Sequence, residues 1–321
     1  MNGRLYCILL QISLSVAATL LHAQAPPREI AITIDDLPAA GAGLSGAETL
    51  DMTSKLLGTL RDQKVPAVGF VNERKLYRQI GEVDQRIKAL GMWLDDGFEL
   101  GNHTFGHTSL SRVPLQEWEE EVVRGETVTN QLLAQHKMKM RYFRHPYLDT
   151  GRDLGTRRQA EAFLVGRGYR IAPVTMDAWD WMYAGVYEDA RKRGDTALEQ
   201  QLVASYLSYT GQVFDYYEKF SKSLIGYEPK QILLLHGNWL EADHIGELLE
   251  LLRKRGYRFV TLEDALSDAA YGMADDFIGE EGTNWIDHWA ITRGQPPQNT
   301  PVFPQWVIDR SKALPRPPIQ P

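Results

Sequence analysis

Between residue 30 and about residue 265 the chain switches repeatedly between two hydrophobic periodicities, and this alternation limits the fold more than any other feature. Ile30, Ile32 and Ile34 recur at every second position, the spacing of a strand with one buried face. Leu50, Leu57 and Leu60 then share a helical face, and Ala67 to Val71 is a short apolar run of the buried-strand type. Val83, Ile87, Leu90 and Leu94 repeat at helical spacing up to Gly97, and Phe98 to Gly101 predicts a third strand. Pro114 opens a helix carrying Trp118, Val122 and Leu132. Further strands are expected at Tyr142-Phe143, Tyr169 to Thr175, Ile232 to Leu235 and Tyr257 to Thr261. Seven strands with helices between them predict an α/β fold with a parallel sheet, of a length that suits a (β/α) barrel one strand short of eight.

Two segments break the rhythm. Residues 183–230, rich in Tyr, Glu and Lys, predict a helical insertion. Residues 271–321 hold Trp285, Trp289 and Trp306 among many prolines, which favours an arm packed on the domain over a free tail. At the other end, Arg4 is followed by an apolar stretch from Leu5 to Leu21 and by Ala23-Gln24-Ala25. That pattern predicts a signal peptide spanning residues 1–25, a catalytic domain over 26–270, and export to the periplasm or the medium. An uncleaved anchor is the alternative, but Gln11, Ser13 and Ser15 interrupt a run already short for a membrane span.

Composition excludes several kinds of chemistry. Lys+Arg 35 against Asp+Glu 42 leaves a net charge of −7, which argues against a nucleic-acid footprint. The single cysteine is Cys7, inside the expected signal peptide, so no disulfide, cysteine metal site or thiol nucleophile is available. Catalysis must rest on His, Asp, Glu, Ser or a bound metal.

Polar residues gather where the expected strands end: Asp35-Asp36 after the first, Asn102-His103 after the third, Arg144 after the fourth. Asp177 and Asp180 follow the fifth, and His236 ends the sixth. Active sites of parallel α/β folds form at that face of the sheet, so the coincidence carries the signal. His103 and His107 are four apart, and on a helical turn they would share a face and a metal. Thr104 stands where a zinc protease needs Glu, which excludes that class. Taken alone, the pair also fits two unrelated histidines; Asp35 or Asp36 as a third ligand strengthens a two-His, one-carboxylate site for Zn²⁺, with Co²⁺ or Ni²⁺ as alternatives. Arg144 either ends a solvated strand or, near the paired carboxylates, holds one of them; Asp180 either caps a helix beside a core Trp pair or orients a histidine; His236 is either a satisfied core residue or a proton donor beside Leu234, which faces the same side of its strand.

In this order the elements closely resemble the polysaccharide deacetylases, the NodB-homology group or carbohydrate esterase family 4. The resemblance lies in Thr33-Ile34-Asp35-Asp36, His103-Thr104-Phe105-Gly106-His107, Arg144-His145-Pro146-Tyr147, Asp177-Ala178-Trp179-Asp180-Trp181 and Leu234-Leu235-His236. It implies a distorted (β/α) barrel and metal-dependent removal of N-acetyl groups from an amino-sugar polymer or oligomer of the peptidoglycan or chitin type. It further implies Asp35 as base, Asp36, His103 and His107 as metal ligands, and Arg144 as tether of the base. Asp180 would orient His236, the general acid. Leu234 and Trp181 would wall the acetyl pocket, and the Tyr147 backbone N–H would hold the oxyanion. Leu148 stands where members often carry Gly, Ile34 replaces a frequent Phe, and the stretch from Trp181 to His236 is longer than usual. An amidohydrolase for a small non-glycan amide and a non-catalytic carbohydrate-binding protein on the same scaffold are the competing readings.

Overall fold

The computed structural model describes residues 28–41, 43–279 and 281–314. The expected signal peptide lies outside these residues. Among them, eight strands form one parallel sheet: β1 (Arg28–Leu37), β2 (Ala67–Val71), β3 (Glu99–Asn102), β4 (Tyr142–Phe143), β5 (Arg170–Ile171), β6 (Met176–Asp177), β7 (Gln231–His236) and β8 (Tyr257–Phe259). Their order is β5-β4-β3-β2-β1-β7-β6, with β8 pairing the first residues of β1. The sheet curls with helices around it into a distorted, incompletely closed (β/α) barrel.

The strand expected over 169–175 is in fact β5 and β6. The Ala172 N–H bonds to the Phe143 carbonyl beside β4, whereas the Thr175 N–H bonds to the Ile232 carbonyl beside β7. Between them Pro173, which has no N–H to give a ladder, lets the chain change partners. The covalent chain therefore spans the gap that hydrogen bonds leave open.

The helices are α1 (Gly46–Asp62), α2 (Val83–Asp95), α3 (Leu115–Arg124), α4 (Thr127–Gln135), α5 (Leu154–Gly166), α6 (Asp180–Arg193), α7 (Thr196–Ile225), α8 (Trp239–Lys254), α9 (Leu262–Ala265), α10 (Trp285–Thr292) and α11 (Gln305–Ala313). The helix expected after Pro114 is two, α3 and α4, which part at Gly125. Ser45 and Glu48 form a reciprocal capping box that starts α1.

Strand alternation sorts β1 into two faces. Ile30, Ile32 and Ile34 join Leu56, Leu57, Leu60, Ile245 and Leu248 in the large core between sheet and helices. Ala31 turns the other way, with Val68, Phe70, Tyr142 and Ile232, onto Leu262, Ala265 and Leu266, which fill the barrel floor. Full burial of such side chains contributes roughly 1.5–3 kcal/mol each. Thr33 and Asp35 continue the inner face upward.

The extra segments pack closely. The expected insertion is the hairpin of α6 and the 30-residue α7. The C-terminal arm buries Trp285, Ile286 and Trp289, while Trp306 is partly buried. The arm's Trp285 N–H bonds to the Val174 carbonyl at 2.6 Å, so the arm covers the place where the barrel does not close. Asp275 of the arm pairs with Arg157 at 2.7 Å and with His288 at 3.0 Å.

Candidate active site

Adjacent residues on a regular strand point to opposite faces, so Asp35 and Asp36 should not both reach one site. Two features reconcile them. The pairing of β1 with β2 slips between Ile34 and Leu37, and Asp36 has a left-handed φ of 73°. Asp35 stays on the inner face, in register with His236 of β7. The turn at Asp36 brings its carboxylate beside the histidines.

Those histidines are not on a helical turn, contrary to the spacing argument. Residues 103–107 form a loop after β3, in which Thr104 and His107 both have φ of 60°. The loop is held from several sides. Asn102 Oδ1 accepts the Thr104 N–H at 2.7 Å, Asn72 donates to the His103 carbonyl at 2.5 Å, and Glu121 accepts the Gly106 N–H at 2.7 Å. The rings of His103 and His107 end 4.8 Å apart, edge to face. Side-chain hydrogen bonds thus achieve the convergence that i,i+4 spacing on a helix would have supplied.

Asp36, His103 and His107 each offer a ligand atom, and these atoms lie within 4.8 Å of one another. His103 Nδ1 is hydrogen-bonded to the Arg144 carbonyl at 2.8 Å, which leaves Nε2 as the free lone pair. Burial, with the neighbouring His107, holds His103 well below the ordinary histidine range, and burial brings His107 down to about 4. Both rings are therefore neutral at pH 7, as ligands must be. Asp36 is the opposite case: burial would raise its pKa, but Lys75 and the histidines hold it well below the carboxylate range. A half-buried carboxylate beside two neutral imidazoles fits a divalent cation.

Lys75 was not singled out from the sequence. Its ammonium lies 2.8 Å from Asp36 Oδ1 and 3.2 Å from the Asp36 carbonyl, reaching over from the turn after β2. In sequence it is one cation in the charged stretch from Glu73 to Arg78, and no spacing rule connects it to residue 36.

Asp35 is buried, with Oδ2 3.7 Å from both His103 Nε2 and Arg144 Nη1. Burial raises its pKa to about 6, opposed by Arg144. Arg144 makes an ion pair with Asp35 without a hydrogen bond; its Nη2 instead donates to Thr33 Oγ1 at 2.8 Å. Asp35 Oδ1 has no hydrogen-bond partner among the described residues.

On the far side, Asp180 opens α6 and is fully covered. Its Oδ1 accepts from His236 Nδ1 at 2.8 Å, and its Oδ2 accepts the His236 backbone N–H and the Asn238 amide, each at 2.9 Å. Burial alone would depress the His236 pKa, but Asp180 raises it to about 10. Asn238, the N-cap of α8, is a second residue the sequence reading did not single out.

Asp35, Asp36, His103, His107, His236 and Asn238 line one cleft of about 830 Å³, with Lys75, Arg144 and Asp180 outside its lining. Leu234 faces it beside His236, while Trp181 and Tyr147 stand half exposed at its wall. The Tyr147 ring lies 4.3 Å from that of His107. Asp36, Thr104, His107, Tyr147, Leu148 and Trp179 all hold left-handed backbones without being glycine. Such strain costs of order 1–3 kcal/mol per residue and collects at functional sites. Gly282 of the arm lies so close to the Tyr147-Leu148 backbone that a Cβ there would sit 2.1 Å from the Leu148 carbonyl carbon. The arm therefore braces the strained turn directly.

Residues 22–163 match the family model for polysaccharide deacetylase. A peptidoglycan-N-acetylglucosamine deacetylase from Bacillus cereus is 23% identical over 240 residues, covering 73% of this chain and 66% of that protein, just under two thirds of its length. Among solved structures, a mutant family 4 carbohydrate esterase pseudoenzyme with restored activity aligns over 76% of this chain and 69% of its own. It is 18% identical with a TM-score of 0.50, a likeness of fold. A family 4 carbohydrate esterase from Streptomyces lividans, in complex with acetate, aligns over 74% of this chain and 95% of its own at 19% identity and a TM-score of 0.46.

Proposed function

We propose that this chain, whose residues 22–163 match the family model for polysaccharide deacetylase, is a metal-dependent hydrolase that removes N-acetyl groups from an amino-sugar polymer or oligomer of the peptidoglycan or chitin type, outside the cytoplasm. The observation that carries the reading is the convergence of Asp36, His103 and His107 between two proton-transfer groups of opposite bias, Asp35 and His236. Asp36, His103 and His107 would hold a divalent ion, zinc by the two-nitrogen, one-oxygen set, which would supply Lewis acidity to the carbonyl and to the attacking water.

Burial raises the Asp35 pKa to about 6, which leaves it mostly ionised at pH 7 and yet basic enough to accept a proton, the compromise a general base requires. As the water's oxygen bonds to the acetyl carbon, Asp35 takes its proton, and the Tyr147 N–H supports the negative charge on the carbonyl oxygen. His236, protonated at pH 7, gives the Nε2 proton to the departing nitrogen as the C–N bond breaks. Acetate and a free amine result. Asp180 keeps the imidazolium charged and fixed through Nδ1, so only Nε2 faces the cleft. Leu234 and Trp181 form the apolar surface on which the acetyl methyl rests.

The test is acetate release from N-acetylglucosamine oligomers and peptidoglycan fragments, with and without chelator. Asp35→Asn and His236→Ala should each lower turnover by roughly 10²–10⁴-fold while retaining metal. Wild-type rates in either variant would refute its assigned role. Release from simple N-acyl amides alone would move the substrate to the non-glycan reading.

A further inference from the structure

A third carboxyl stands beside the His236–Asp180 pair, outside the cleft lining. Glu241 lies in the first turn of α8, where its backbone N–H donates to the N-cap Asn238 Oδ1 at 2.9 Å. Glu at this position of a helix commonly turns back to the N-cap N–H at the surface. Glu241 instead turns inward and is fully covered. Its Oε1 accepts the Tyr206 hydroxyl at 2.7 Å, and its Oε2 has no hydrogen-bond partner among the described residues. Three helices meet here, with Asp180 opening α6, Tyr206 coming from α7 and Glu241 from α8. The Asn238 side chain joins the two acids, since its amide donates to Asp180 Oδ2 at 2.9 Å while its oxygen accepts from Glu241.

Charge balance sets the state of this group. His236 and Asp180 form an ion pair with no net charge. A second carboxylate would have no cation of its own, because among the described residues only Asp180, Tyr206 and His236 act on Glu241. Two buried carboxyls that share a site do not both ionise readily, so one keeps its proton. Hydrogen bonds decide which. Asp180 accepts three N–H donors, which favour its charged form, whereas Glu241 accepts one hydroxyl. An oxygen without a donor also costs less on a neutral carboxyl than on an anion. Burial, with the charge of Asp180 adding to it, raises the Glu241 pKa to about 8.

We infer that Glu241 is a positioning residue for the general acid: fixed by Tyr206 and protonated, it leaves the single negative charge of this enclosed space on Asp180, against His236. The inference rests on the reading of His236 as the acid and adds a pH response to it. When Glu241 ionises in alkaline solution, its new charge strengthens the hold on the His236 proton, and the acid stays loaded further into the alkaline range. Tyr206 and Glu241 both lie outside the 22–163 segment that matches the family model. Tyr206 belongs to the hairpin of α6 and α7, which on this account is coupled to the acid.

The test uses Glu241→Gln, whose amide oxygen can still accept the Tyr206 hydroxyl but which cannot ionise. NMR titration of the zinc-loaded protein should show the His236 proton bound about tenfold less tightly than in the wild type, the scale of one nearby charge. The alkaline limb of kcat for acetate release should move down by about one pH unit. Denaturant unfolding of metal-free protein gives a readout that needs no substrate. Glu241 has a folded pKa of about 8 against an ordinary 4.5, so wild-type stability relative to Glu241→Gln should fall as pH rises between these values and level off above them. An imidazole titration matching the wild type, or a stability difference that does not change with pH, overturns the coupling. Tyr206→Phe keeps both carboxyls and removes the hydroxyl on Glu241. It should carry the window of falling stability to higher pH, and an unchanged window overturns the assignment even if Glu241→Gln fails to fold. If no glycan releases acetate but imidazole and stability respond as stated, the deacetylase reading fails and the coupling stands. If acetate is released and neither responds, the coupling fails and the deacetylase reading stands.

Discussion

Replacing Asp180 by Asn tests the coupling between α6 and β7 on which the acid depends. The carboxylate accepts three hydrogen bonds, two from His236 and one from Asn238, at 2.8–2.9 Å. Asparagine has one acceptor oxygen. If that oxygen faces Nδ1, the amide NH₂ confronts two donors, and if it flips, the NH₂ confronts the imidazolium. Two hydrogen bonds to a charged group are lost in the first case and one, the bond to the imidazolium, in the second, at about 1.5–3 kcal/mol each. Breaking one side of a buried ion pair typically costs about 3–5 kcal/mol, which agrees. His236 has a folded pKa of about 10, above the ordinary 6.5. Its protonation therefore stabilises the wild type fully below about pH 6.5, and this contribution fades as pH rises towards 10. The stability gap between wild type and Asp180→Asn in metal-free protein should be widest at pH 6 and shrink by pH 10. Denaturant unfolding at several pH values measures the gap, and NMR titration of the imidazole measures the pKa directly. Activity at pH 7 should fall by roughly 10²–10⁴-fold, with the alkaline limb of the rate profile moving to lower pH. A variant with an unshifted imidazole pKa and a pH-independent gap would refute the argument.

Other perturbations address the metal ligands and the arm. Zinc at 100 times its dissociation constant should stabilise metal-free protein by about 2.7 kcal/mol, read as a rise in melting temperature that His107→Ala abolishes. Lys75→Met removes a cation 2.8 Å from Asp36 Oδ1 and should tighten zinc binding about tenfold by competition with a chromophoric chelator, the scale of one removed charge repulsion at partial exposure. Weaker binding would instead make Lys75 a support for the carboxylate. Gly282→Ala puts a methyl into the Leu148 backbone and should cost about 1–3 kcal/mol of thermal stability while lowering turnover through the displaced Tyr147 turn.

The sequence by itself determined the kind of fold and the places where chemistry collects. Period-two apolar spacing at Ile30 to Ile34 and helical spacing from Val83 to Leu94 are local consequences of which side chains must leave water, and neither needs a partner to be read. Strand ends are equally local, so Asp35, His103, Arg144 and His236 could be found where each strand stops. Tertiary structure decided how those ends meet. The left-handed turn at Asp36 and the register slip beside it allow neighbouring carboxylates to share a site, and a loop pinned by Asn72, Asn102 and Glu121 does what a helical turn was expected to do. Lys75 against Asp36, Asn238 against Asp180, and Gly282 against Leu148 join residues with no periodic relation in sequence. The splitting of the fifth strand likewise depended on two competing sheet edges, which exist only once the barrel has curled. Periodicity records which face of an element is buried; the choice of neighbour across that face depends on the packing of the whole chain.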